Sequence, residues 1–401
     1  MRFVRLCGFG FMAVALNACG SDGGSARVES RPECEPDGCQ PSSERDLADC
    51  ETLELNFDKN TTIKKGCYIA TASPSLDEDV RLTLAAGVTI FFAEGTGLQL
   101  EDGQSLVAEG TKDDPVVLTG MQQRRGSWNG VSITGSEDGG DDYNSLRHVT
   151  IEYAGADGAG LAVRDAALGL EDSTIRESAH HAFVAYSSGV GFSRNTFTRN
   201  ARGIIAEGWA LSGFDTASVY GGNDEDGIET HFMTTTDLTL RNLGVPYFIG
   251  NSSMEGATLT VEPGVTIVLG ENDRLHLKGS QLIARGTAAL PILFTSEAGT
   301  PGSWYGVDLE RSAGIFEHVT IEHGGGGTTR SANVLVDDWQ ATSLAMSHCK
   351  IRNSAGYGVA ISPGYGVAMS SLTSVPKDLT SRNEFSSNAL GNVLVVSGDS
   401  N

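Results

Sequence analysis

Three groups of side chains in this 401-residue chain have the types and spacing that chemistry needs. Asp141 and Asp142 adjoin in the acidic stretch Glu137-Asp-Gly-Gly-Asp-Asp142, and a carboxyl pair can divide proton donation and water activation between its members. On a strand, neighbouring side chains point to opposite faces, so this pair would need a bend to converge. The competing reading is a solvated acidic loop. Arg124 and Arg125 precede Trp128 and could supply a cationic or basic group, the competing reading being a surface turn. Asn223-Asp-Glu-Asp-Gly227 offers Asp224 and Asp226 as hard oxygen ligands beside a glycine turn. Ca²⁺ is the ion such oxygens suit, but EF-hand spacing and its terminal glutamate are missing, so an unmetallated turn competes. His180 and His181 face opposite ways if they lie on a strand. No Gly-x-Ser-x-Gly elbow, phosphate loop or dinucleotide fingerprint occurs.

The N-terminus carries Arg2 and Arg5, an apolar run from Leu6 to Leu16 and a small-residue approach, which reads as a secretory signal over residues 1–18. Leu16-Asn-Ala-Cys19 resembles the bacterial lipobox, which implies lipidation of Cys19 and a membrane anchored through acyl chains. Gly20 follows in place of the aspartate that commonly retains such proteins at the inner membrane, so the outer membrane or cell surface is the expected address. Losing the signal moves the formal charge from −23 to −25, a poor surface for nucleic acid. Residues 19–49 are rich in Gly, Ser, Asp, Glu and Pro and read as a flexible tether. Cys34 and Cys39 enclose a turn-like spacer, and Cys50 and Cys67 flank the first expected strand, so two short disulfides are expected, with zinc as the rival use. Cys349 is left over, as a small apolar residue in a strand pattern.

These groups must be positioned by short period-two strands, broken by Gly, Asn and Asp too often for helices of ordinary length. Laying the chain on itself exposes a long repeat. Leu82-Thr-Leu-Ala-Ala-Gly-Val-Thr-Ile90 matches Leu259-Thr-Val-Glu-Pro-Gly-Val-Thr-Ile267, and Pro115-Val-Val-Leu-Thr119 matches Pro291-Ile-Leu-Phe-Thr295. Gly126-Ser-Trp-Asn-Gly-Val131 matches Gly302-Ser-Trp-Tyr-Gly-Val307, and His148-Val-Thr-Ile-Glu152 matches His318-Val-Thr-Ile-Glu322. Asn195-x-Phe-x-x-Asn200 answers Asn383-x-Phe-x-x-Asn388. The offset falls from 176 residues at Trp128 and Trp304 to 170 at His148 and His318, placing a six-residue insertion in the first copy.

These strings resemble the right-handed parallel β-helix repeat proteins of the pectate-lyase-like superfamily, including bacterial lipoproteins. The resemblance implies an all-β, single-stranded solenoid of about 15 coils, with copy 1 over 50–206, a connector with further coils over 207–237, and copy 2 over 238–401. Glycoside hydrolases of this fold use paired aspartates, and its pectate lyases use a Ca²⁺ cluster with an arginine. The remaining motifs of those enzymes, Asn-Thr-Asp, Gly-His-Gly and Arg-Ile-Lys among them, do not occur here.

Residues shared by both copies are most simply what the coil requires, so Trp128 with Trp304, His148 with His318, and Glu152 with Glu322 read as scaffold. Asn200 and Asn388 read as turn residues that tolerate the left-handed conformation. A site should use residues that differ between copies. The leading functional expectation is a non-catalytic envelope protein for surface structure, adhesion or glycan binding. The alternative is a polysaccharide lyase or glycoside hydrolase, which would need Arg124, Arg125, Asp141 and Asp142 to share one groove.

Overall fold

The computed structural model describes residues 47–135, 143–186, 189–327, 331–338, 342–362 and 378–395. The expected signal, Cys19, Cys34, Cys39, Asp141 and Asp142 lie outside these residues.

Every strand pairing among the described residues is parallel, and successive coils stack the alternating apolar residues that the sequence sets out. In the first copy Ile90, Leu118, Ile151, Ile175 and Phe197 lie in register on consecutive strands, each no more than 1 % exposed. In the second copy Ile267, Phe294, Ile321, Ile351 and Phe385 lie in register likewise, the first four fully buried and Phe385 partly so. Full burial of one such side chain contributes roughly 1.5–3 kcal/mol, and backbone groups find their partners in the coils above and below. Parallel strands joined by crossovers within one solenoid wind right-handed. The fold is therefore a right-handed parallel β-helix.

Asparagines set the corners differently from expectation. Asn200 and Asn388 do not take the left-handed conformation; Arg199 and Ser387 before them do, at φ 56° and 55°. The buried Asn200 amide instead bridges coils, accepting from the Ser178 N–H at 2.9 Å and donating to the Ile175 carbonyl at 3.0 Å. Asn388 repeats this with Ser354 and Ile351. A side-chain amide carries both a donor and an acceptor, so it satisfies both backbone groups left at a corner.

Cys50 and Cys67 are joined, with Cα atoms 4.7 Å apart, and hold the strand Glu51–Thr52 to the next coil. Closing this short loop contributes about 3 kcal/mol on a chain-entropy view. Cys349 is free and buried, in the turn between Ser343–Ser347 and Lys350–Arg352 rather than in a strand, and burial pushes its thiol up to about 11.

One feature of the stacking has no counterpart in the linear repeat. In the first copy the strand Val116–Gly120 belongs to a seven-stranded sheet, and Val131–Thr134 to the twelve-stranded sheet. Their second-copy matches are Ile292–Ser296, which lies in that same twelve-stranded sheet, and Gly306–Glu310, which lies in another seven-stranded sheet running from Met233–Thr234 to Gly391–Val395. The copies are thus stacked out of phase by one face. The change of phase falls where Arg202–Ala206 pairs with Glu225–Thr230 through a register shift, beside a 3-10 turn at Ala210–Gly213.

Candidate functional site

The duplicated residues are held alike in both copies. Trp128 and Trp304 are fully buried, and each indole Nε1 donates to a carbonyl, of Glu152 and of Glu322, at 2.8 Å. The Glu152 carboxylate meets Arg176 at 2.6 Å and the Thr119 hydroxyl at 3.1 Å; Glu322 meets Arg352 at 2.6 Å and Thr295 at 3.2 Å. His148 and His318 open their strands at φ 46° and 49°. Gly130 and Gly306 follow the tryptophans at φ 104° and 112°, where a Cβ would run into the carbonyl oxygens of Ala159 and Ala332. All of this is scaffold geometry.

The two arginines of the first copy part company. Arg124 turns to Glu94 at 3.2 Å and is 57 % exposed. Arg125 reaches over later coils to Glu177 at 3.3 Å, Asp224 at 2.5 Å and the Arg199 carbonyl at 2.5 Å. The Arg125 hydrogen bond holds the Asp224 carboxyl below its usual range. Asp226 accepts from the Asn223 N–H at 2.8 Å, the Asn223 amide at 3.0 Å and the Gly222 N–H at 3.0 Å, which makes it the clasp of its turn. Both candidate calcium carboxylates therefore have protein partners. His181 pairs with Glu229 at 3.2 Å, lowering that carboxyl, while His180 is exposed.

In the second copy, the residues that differ from the first form a denser cluster. On the outer face of its seven-stranded sheet, the strands Arg274–Lys278, Gly306–Glu310 and Ala332–Asp337 present His276, Asp308, Glu310 and Asp337. The first copy has Gln99, Ser132, Thr134 and Arg164 at these positions. His276 Nε2 lies 3.3 Å from Glu310 and 3.9 Å from Asp308. Asp308 is 16 % exposed on its side chain, and its Oδ1 is buried with no hydrogen-bond partner among the described residues. Burial raises the Asp308 pKa, the carboxylates of Asp337 and Glu310 raise it further, and His276 and Arg274 oppose them. A half-buried carboxyl pushed toward its neutral form beside two further carboxyls is the arrangement that acid–base sites use.

A cleft of about 470 Å³ opens on the same side at the change of phase, lined by Glu207, Trp209, His231, Phe232, Met233 and Thr234 among others. Trp209 is 52 % and Met233 81 % exposed, and the indole donates to Glu207 at 3.2 Å. Strand register joins the cleft to the cluster, because Met233, Ser253, His276 and Asp308 are successive partners in one row. At the usual strand spacing Met233 and Asp308 are about 14 Å apart. Glu255, Lys278, Glu310 and Asp337 form the adjacent row.

The pectate-lyase-like β-helix domain family matches residues 55–156. No curated protein matches the chain. Among solved structures, it resembles the A-modules of two Azotobacter vinelandii mannuronan C-5 epimerases. The AlgE6 module is 14 % identical over 88 % of this chain and 92 % of that one, at a TM-score of 0.32. The AlgE4 module is 13 % identical over 87 % and 90 %, at 0.26. The Agl-KA catalytic domain is 11 % identical over 79 % of this chain and 62 % of its own, at 0.25. With strands in register along both copies, the chain is a parallel β-helix protein, and residues 55–156 within its first copy match the pectate-lyase-like β-helix domain.

Proposed function

We propose that the protein acts on an extended, uncharged polysaccharide laid along the outer face of the second copy's seven-stranded sheet. The row Met233, Ser253, His276, Asp308 carries this reading, because it connects an aromatic cleft to a carboxyl cluster along one straight track. Trp209 offers an aromatic face on which a sugar ring can pack, and its polar tip is already fixed by Glu207. The formal charge of −23 disfavours a polyanionic chain. Asp308, its pKa raised by burial, donates its proton to the glycosidic oxygen. A second carboxyl, Glu310 or Asp337, takes a proton from the water that attacks the anomeric carbon, and a new reducing end results.

Replacing Trp209 by alanine is expected to weaken binding of a neutral oligosaccharide about tenfold and to leave the melting temperature unchanged, since the indole is half exposed. A glycan array on the full chain, followed by titration of a positive glycan, reads this out. Equal affinity in the variant would remove the cleft from the track.

The same proposal places the protein at the cell envelope on a lipid carried by Cys19. A Cys19→Ser chain should leave the membrane fraction for the soluble fraction, and a variant that still partitions with membranes would refute the anchor.

A further inference from the structure

We propose that Glu317, His318 and His348 form a zinc-class metal site on the second copy, away from the glycan track. Their ligand atoms lie within 4.8 Å of one another. A tetrahedral zinc held at about 2.0–2.1 Å needs its ligands about 3.3 Å apart, so modest side-chain rotation closes the set. The two imidazoles are already aligned, with ring centroids 4.8 Å apart and planes within 12°. Their backbones hold them so: both residues sit in left-handed corners, at φ 49° and 56°, on neighbouring coils.

Comparison with the first copy shows what has changed. The matching column there reads Arg147, His148 and Asp172, with Arg194 on the next coil. Arg194 clasps Asp172 at 2.7 Å and Glu171 at 2.5 Å, Arg147 faces Glu171 at 3.7 Å, and His148 lies 3.9 Å from Asp172. That column is an ion-pair ladder, with its carboxylates already taken. In the second copy a carboxylate stands in place of Arg147 and an imidazole in place of Asp172, while the arginine of the next coil, Arg382, pairs with Asp378 at 3.2 Å instead. Two reversals of charge type at equivalent positions leave two nitrogen ligands and one oxygen ligand together. Such a set suits zinc and its transition-metal neighbours rather than calcium or magnesium, which take oxygen. Three protein ligands leave a fourth position for water or an outside ligand.

Calorimetric titration of zinc chloride into the full chain tests the site, because substitutions at its own ligands separate it from binding by other cysteines and histidines. The expected result is a binding step that weakens by about tenfold or more in His348→Asp, which restores the first-copy residue, and in Glu317→Gln. Asp172→Asn in the first copy should leave that step unchanged. Melting without zinc should be the same in wild type, His348→Asp and Glu317→Gln. Absence of a zinc step in the wild-type chain, or the same step in His348→Asp and Glu317→Gln as in wild type, would overturn the proposal.

Discussion

Asp308→Asn is expected to lower polysaccharide turnover by roughly 10²–10⁴-fold, the range a positioned general acid contributes, while the protein melts higher than wild type at neutral pH. The second half follows from linkage. Asp308 has a raised folded-state pKa, so the unfolded chain ionises first as pH rises. Stability is undiminished below the unfolded value of about 3.9 and falls as pH climbs from there through the raised folded value. Asparagine carries no charge and escapes that loss. The melting difference between variant and wild type should therefore vanish near pH 4 and open above it, as read by calorimetry across pH 4–8. A variant that is inactive and also less stable at pH 7 would mark Asp308 as a structural ion-pair residue.

Trp304→Ala is expected to cost about 3–5 kcal/mol, the range for deleting a fully buried large aromatic side chain. It also leaves the Glu322 carbonyl without the indole donor. Trp128→Ala should do the same to the first copy, where the indole also stacks on Phe92 with centroids 4.4 Å apart. In a solenoid each coil contacts only its neighbours, so the damage should be local. Hydrogen exchange should show lost protection over the second-copy coils for Trp304→Ala and over the first-copy coils for Trp128→Ala. Uniform loss along the whole chain in either variant would contradict nearest-neighbour stacking.

The fold was legible because the coil demands the same side chains twice. Trp128 with Trp304 and Glu152 with Glu322 have matching partners, as duplication implied. Spacing marks the asparagines as corner residues but not their conformation, since it does not distinguish an amide that bridges coils from one that turns its own backbone. The change of phase was not legible. Repeats align along the chain, whereas neighbours across the helix depend on coil length, and among the described residues that length runs from 17 residues between Glu51 and Tyr68 to 38 between Val107 and Ser145.

For the site, residues that differ between the copies are informative in both, and those of the second copy form the denser cluster. The signal lay in Gly306-Val-Asp-Leu-Glu310 set against Gly130-Val-Ser-Ile-Thr134: two carboxylates replace two hydroxyls on the outer face of a strand. His276 against Gln99 and Asp337 against Arg164 complete it, although only strand register shows that the four meet. Trp209 and Met233 belong to the connector, which has no second copy to compare with.

The role of Asp308 is tested by an assay of reducing ends released from neutral polysaccharides that the full chain binds, with wild type and Asp308→Asn measured side by side at pH 4–7. Wild type is expected to release new ends and Asp308→Asn is not, with binding retained. Tight binding with no release by wild type at any pH in that range would contradict that role, and would leave the second-copy face as a glycan-binding surface without chemistry.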